Sequence, residues 1–224
     1  MKIIENVYVI PGVIAHSYLI ADPDGLTVID TGLPYSEKKI LQFIASLDKS
    51  ASDVKRILIT HADLDHYGCL AALQKATGAC TFTGQAEADA IAKGQSSRPV
   101  NKRTSLFQRF MIALLGRFMK FTPVQVDEIL SDGQVLPVLD GLQVVETPGH
   151  APGHLAYYAP AAGILFCGDA MRSDGGGLRG SNSRNNWDQP MAEASVRKLA
   201  GLQPRIICPG HGPVVYDAMK NFPA

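Results

Sequence analysis

The chain has 224 residues, 46% of them apolar, and its 21 basic and 21 acidic side chains cancel to no net charge. That is room for one large domain or two small ones, with ordinary material for a core. The even balance supplies no global field for nucleic acid or an anionic membrane, so neither is an expected partner.

The N-terminus offers one lysine before Glu5, Asn6 and Pro11 break its apolar pattern. It reads as neither a signal peptide nor a membrane span, and a cytoplasmic location is expected. Four cysteines (69, 80, 167, 208) include no Cys-x-x-Cys pair and read as buried thiols.

In chain order, residues 2–10 alternate loosely and predict a strand, closed by a Pro11-Gly12 turn. Residues 16–21 and 26–29 predict two further strands about an Asp22-Pro23-Asp24-Gly25 hairpin turn. A helix is predicted over 36–47, with Ile40, Leu41, Ile44 and Leu47 on one face and Ser36 as N-cap. The run 56–60 is short, β-branched and strand-like; a helix at 67–76, a strand at 79–83 and a helix at 85–92 follow.

Residues 94–105 are polar, basic and irregular, and 106–121 predict a helix apolar over most of its circumference. A helix of that kind is normally buried, in the core or at a homodimer contact; a lid over a cleft is the alternative. Residues 94–121 together read as an insertion in a single domain spanning 1–224. Strands are then predicted near 124–130, 134–138, 142–147, 154–159 and 163–167, a long loop over 172–188, a helix over 191–202 and a last strand at 205–208.

The chemistry concentrates in Thr60-His61-Ala62-Asp63-Leu64-Asp65-His66-Tyr67-Gly68, four metal-binding side chains within six residues at a strand's end. In an extended turn His61 and Asp63 point the same way, while the adjacent Asp65 and His66 splay. One loop can then serve two neighbouring metals. Three later turns each present a further candidate: Thr147-Pro148-Gly149-His150, Phe166-Cys167-Gly168-Asp169-Ala170 and Cys208-Pro209-Gly210-His211-Gly212. Of six histidines, only His16 lies outside these motifs or their surroundings; it reads as a rim residue.

These motifs, from Asp30-Thr31-Gly32 to Pro209-Gly210-His211-Gly212, resemble the metallo-β-lactamase superfamily over nearly the whole chain. The resemblance implies an α+β, four-layer αββα sandwich of two mixed sheets with helices outside. It implies two divalent metal ions per chain: the first on His61, His150 and position 63, the second on Asp65, His66 and His211, with Asp169 bridging. Asp30 and His154 are expected to brace the ligands from behind.

Position 63 departs from the family, whose usual residue there is histidine. Asp63 adds a carboxylate to those of Asp65 and Asp169, which makes the first site harder and more tolerant of iron or manganese; zinc remains the first expectation. The implied activity is hydrolysis of an ester, thioester or lactone carbonyl by a metal-bridging hydroxide, with Asp65 receiving or orienting its proton.

Within the family, glyoxalase II enzymes hold glutathione with a C-terminal helical extension. The chain ends 13 residues after His211, so that extension is not expected. Arg172 stands where the family's acyl-homoserine lactonases carry a tyrosine. Arg172, Arg179 and Arg184 are expected to meet an anionic part of a small-molecule substrate. The alternatives are an iron-binding redox, oxygen-handling or sulfur-metabolism protein of the same fold, or a phosphodiesterase.

Overall fold

The computed structural model describes residues 1–98, 122–174 and 177–222. The predicted helix at 106–121 lies outside them. Strands β1 (Lys2–Ile4), β2 (Val7–Val9), β3 (Tyr18–Asp22), β4 (Gly25–Ile29), β5 (Val54–Leu58), β6 (Cys80–Thr83) and β7 (Glu128–Ile129) form one sheet in sequential order. The first four pair antiparallel, while β4 to β7 run parallel. The second sheet has the order β15-β14-β11-β10-β9-β8, with β8 (Val135–Leu136), β9 (Leu142–Glu146), β10 (Leu155–Ala159), β11 (Ile164–Gly168), β14 (Ile206–Pro209) and β15 (Val215–Tyr216). Only β11 and β14 pair parallel there.

The apolar pattern explains the layering. Successive strand side chains face opposite ways. In β3, Leu19 points to the layer holding α1 (Glu37–Ala45), α3 (Leu70–Thr77) and α4 (Gln85–Ile91), while Tyr18 and Ile20 point to the other sheet. In β5, Ile57 and Leu58 divide the same way. In β10 and β11, Tyr157 and Phe166 face the first sheet, and Tyr158 and Leu165 face outward to the layer of α5 (Gln189–Gly201) and its Leu199. Strands buried on both faces read as unbroken apolar runs for this reason. The result is helices, sheet, sheet, helix.

Several predicted boundaries shift. The first strand breaks at Glu5-Asn6 into β1 and β2. Only Glu128–Ile129 of 124–130 pairs in a sheet. Ser36 makes no side-chain cap, because its backbone is already helical. The helix predicted from Tyr67 is two pieces, α2 (Leu64–Tyr67) and α3, so Asp65 and His66 sit on a helical turn instead of an open loop. The loop predicted over 172–188 contains a hairpin, β12 (Met171–Asp174) with β13 (Gly177–Gly180). Met171, Ser173 and Leu178 are buried between more exposed Arg172, Asp174 and Arg179, an alternation hidden by the glycine- and arginine-rich composition.

The topology collects the strand ends that matter. β4 and β5 run together, as do β11 and β14, and β9 shares the direction of β11 because both oppose β10. The segments carrying residues 30, 61–66, 150, 169 and 211 therefore leave C-terminal strand ends. The sheets are tied near these ends by Leu155 N–H to Thr60 O at 2.9 Å, Tyr157 Oη to Ile59 O at 2.9 Å and Tyr18 Oη to Pro209 O at 2.6 Å.

Helix α5 closes on the turn before His150. Gly149 has φ +132°, and a Cβ there would lie 2.1 Å from Ala192 N. Gly149→Ala should therefore destabilise by about 3 kcal/mol or more, a fall of roughly 6–12 °C in Tm for a chain of this size. Thermal denaturation of the purified variant measures it; an unchanged Tm would mean that α5 moves aside freely.

Candidate metal centre

The loop after β5 enters the centre with His61, turns at Asp63 and winds into α2, which presents Asp65 and His66. His150 follows β9, Asp169 follows β11 and His211 follows β14. Three groups of donor atoms result, each lying within 4.8 Å: His61, Asp63 and His150; His61, His66 and Asp169; Asp65, His66 and His211. Asp63 Oδ2 is 3.4 Å from His61 Nε2 and 3.3 Å from His150 Nε2. Asp65 Oδ2 is 3.3 Å from His211 Nε2. Asp169 lies between the outer groups, with Oδ1 3.3 Å from His66 Nε2 and Oδ2 3.6 Å from His150 Nε2 and 3.5 Å from His211 Nε2.

The surroundings fix which ring nitrogens face inward. Asp30 Oδ1 accepts Thr60 N–H at 2.8 Å, and its Oδ2 accepts Thr60 Oγ1 at 2.8 Å and His66 Nδ1 at 2.8 Å. Thr60 Oγ1, having given its proton to Asp30, accepts from His61 Nδ1 at 3.0 Å. The Nε2 atoms of His61 and His66 are thereby the ones that face the centre. Among the described residues both are buried without a hydrogen-bond partner, as are Asp169 Oδ1 and His150 Nδ1. Burial opposes a charge on His66, but Asp169 and Asp30 outweigh it and push its pKa well above the ordinary value; a cation at Nε2 would take that proton's place. Burial alone would drive the carboxyls of Asp63 and Asp169 up, yet the surrounding imidazoles outweigh it and hold both far below the ordinary range. Clustered carboxylates, inward-facing imidazole nitrogens and unpartnered buried atoms are a donor set that fits divalent cations.

His154 is turned differently. Its Nε2 accepts the Asp169 backbone N–H at 3.1 Å, so its proton sits on Nδ1, which donates to Thr147 Oγ1 at 2.8 Å. Burial, then the neighbouring His61 and His150, push its pKa well below the ordinary value, and the ring stays neutral. It holds Asp169 by the backbone. Glu87, fully buried on α4, accepts Ala62 N–H at 2.7 Å and Gly153 N–H at 2.8 Å, tying the His61 loop to the His150 turn.

A family model described as the metallo-beta-lactamase superfamily matches residues 10–211. The chain belongs to the metallo-beta-lactamase superfamily. A Bacillus subtilis (strain 168) protein named Probable metallo-hydrolase YflN is 27% identical, over 93% of this chain and 84% of its own length. A Hydroxyacylglutathione hydrolase of Rhodobacter capsulatus is 29% identical over 69% of this chain, which spans 47% of that relative. Among solved structures, a metallo-beta-lactamase family protein of Thermus thermophilus shares the fold with a TM-score of 0.75 and 24% identity, covering 98% of this chain and 78% of that one. A Cronobacter sakazakii metallo-beta-lactamase with an HARLDQ motif has a TM-score of 0.71 and 25% identity, covering 94% and 79%. Residues 61–66 here read HADLDH.

In this superfamily member the centre opens on a cavity of about 380 Å³, lined by Asp63, Asp65, Asp169 and His211 and by Arg98, Arg172 and Asn182. The three arginines expected at the cleft separate. Arg172 lines it, with Nε buried and unpartnered among the described residues. Arg179, opposite Arg172 in the hairpin, does not line this cavity; it pairs with Asp174 at 2.7 Å and lines a neighbouring cavity together with Arg172. Arg184 is exposed and absent from the cleft lining.

Arg98 gave no motif and was missed. It donates through Nε to Asp63 Oδ1 at 3.1 Å and through Nη2 to Asp63 Oδ2, and Ser96 Oγ adds a bond to Oδ1 at 2.9 Å. The third carboxylate is therefore not the bare extra charge that the sequence suggests. Glu87 was missed as well; an acid between alanines on an otherwise apolar helix face was its one signal. Glu87→Ala would orphan two buried N–H groups and cost about 3 kcal/mol. The check is a chemical-denaturation midpoint beside that of Glu87→Gln, which keeps one acceptor and should lose less.

Proposed function

We propose that the chain is a metal-dependent hydrolase of carboxylic esters, thioesters or lactones that carry an anionic group. His61, Asp63 and His150 would hold one divalent cation, and Asp65, His66 and His211 a second. The observation that carries the reading is Asp169, which turns one carboxylate oxygen toward His66 and the other toward His150 and His211. Such cations supply Lewis acidity and activate water near neutral pH.

The chain's own residues provide the rest. Asp65 lines the cavity with its side chain a third exposed, so it can take a proton from the attacking water and pass it to solvent. Burial opposes its ionisation, but the hydrogen bond from His211 leads the effects that outweigh it and keep the carboxyl below its ordinary range, ionised and able to accept. Asp30 and Thr60 hold His66 and His61 with Nε2 turned inward. Arg172 would bind the anionic group. It stands, with Ser181 and Asn182, where the metal cavity meets a second cavity of about 760 Å³, so the substrate's non-reacting part would extend there. Among the described residues no helix is long and apolar enough to cross a membrane.

The test is elemental analysis of protein purified without chelator, paired with a panel of esters, thioesters, lactones and phosphodiesters. About two metals per chain and carbonyl hydrolysis abolished by chelation are expected, with Asp169→Asn lowering kcat by about a thousandfold. Fully metal-loaded protein that hydrolyses none of the carbonyl substrates would refute the proposal. Arg172→Ala should raise KM for an acidic substrate by about tenfold while leaving a neutral analogue unchanged; equal effects on both would remove Arg172 from substrate recognition.

A further inference from the structure

The arrangement around Asp63 points to a role for Arg98 at the first cation position. We infer that Arg98 is the charge partner that lets Asp63 stand in for a neutral imidazole there. Asp63 Oδ1 is saturated: it accepts Ser96 Oγ at 2.9 Å and Arg98 Nε at 3.1 Å. Oδ2 accepts Arg98 Nη2 and also faces His61 Nε2 at 3.4 Å and His150 Nε2 at 3.3 Å. Asp63 therefore has one oxygen to offer a cation, and that oxygen is shared with a guanidinium.

The charge count makes the pairing consequential. Asp63, Asp65 and Asp169 bring three negative charges to two cation positions. Arg98 returns one positive charge at contact distance, in a pocket where both partners are largely withdrawn from water. The ligand set then carries the net charge it would have with histidine at 63. A planar fork that meets both carboxylate oxygens is the arginine geometry for such a pair. Arg98 is also anchored from the far side, because its Nη1 donates to the Asn185 carbonyl. It is thus a positioning residue that tunes Asp63, and it touches no reacting atom.

The pairing predicts that residues 63 and 98 are coupled in metal binding. The inference rests on the metallohydrolase reading, so the experiment titrates metal without substrate. Metal-stripped wild type, Arg98→Gln, Arg98→Lys, Asp63→His and Asp63→His/Arg98→Gln are each titrated calorimetrically with Zn²⁺ and with Mn²⁺. Circular dichroism confirms the fold of each variant.

Wild type should take two ions per chain. Arg98→Gln keeps a hydrogen-bond donor but bares the carboxylate, so the preference for Mn²⁺ over Zn²⁺ at the first position should rise about tenfold. Arg98→Lys keeps the charge and should hold the wild-type ratio. Asp63→His leaves a guanidinium facing a dication and should weaken the first ion about tenfold or more; adding Arg98→Gln should restore it.

Three results would overturn the role. Wild type could bind one ion only, Arg98 then filling the first position in place of a metal. Arg98→Gln could weaken both metals equally, as a purely structural bond would. Asp63→His could bind alike with and without Arg98. A chain that binds metals in the expected pattern yet hydrolyses nothing would keep the Asp63–Arg98 role and remove the hydrolase.

Discussion

Mutual repulsion among Asp63, Asp65 and Asp169 is the constraint around which this molecule is arranged. Carboxylates packed this closely and partly withdrawn from water are expensive unless cations and hydrogen-bond donors surround them. The imidazoles of His61, His66, His150 and His211 ring them, Arg98 binds the most buried of the three, and the His154 ring fixes the backbone that carries Asp169. Each support is itself supported: Asp30 sets His66 and Thr60, and Thr60 sets His61.

The sandwich exists to make that crowding possible. Its candidate donors come from both sheets, and neither sheet holds a complete group of them among the described residues. Parallel pairing of β4 with β5 and of β11 with β14 brings strand ends to one edge. The inter-sheet core of Tyr18, Leu58, Tyr157 and Phe166 fixes the spacing between the sheets. Hydroxyls of Tyr18 and Tyr157 then reach across to backbone carbonyls beside the ligand loops. A packing change in that core would be felt at the candidate donor groups, because interiors of this density transmit displacement.

Much of this was legible in the chain. Apolar runs bounded by Gly, Pro and Asp marked most strands, and the four ligand turns announced themselves because glycine and proline are needed where a side chain must approach a crowded centre. Boundaries were less legible. The break between α2 and α3 falls at Gly68, where a Cβ would lie 2.2 Å from Leu64 O and 2.6 Å from Pro34 Cδ; Pro34 comes from another part of the chain. The hairpin of β12 and β13 escaped because its alternation is carried by Met, Ser and Leu among arginines and glycines.

The residues that complete the centre show where local reading stops. Sequence by itself determined most strands and helices and the candidate donors, since periodicity and turn chemistry are local properties, and the order of those donor turns carried the family resemblance that implied the layer architecture. It could not place Arg98 on Asp63 or Glu87 between Ala62 and Gly153, nor tell Arg172 from Arg179 and Arg184. Those assignments depend on which surfaces the two sheets bring face to face and on where each loop residue falls relative to the cleft. Charge compensation acts over a few ångströms in space between groups distant in the chain, so only the tertiary structure decided it.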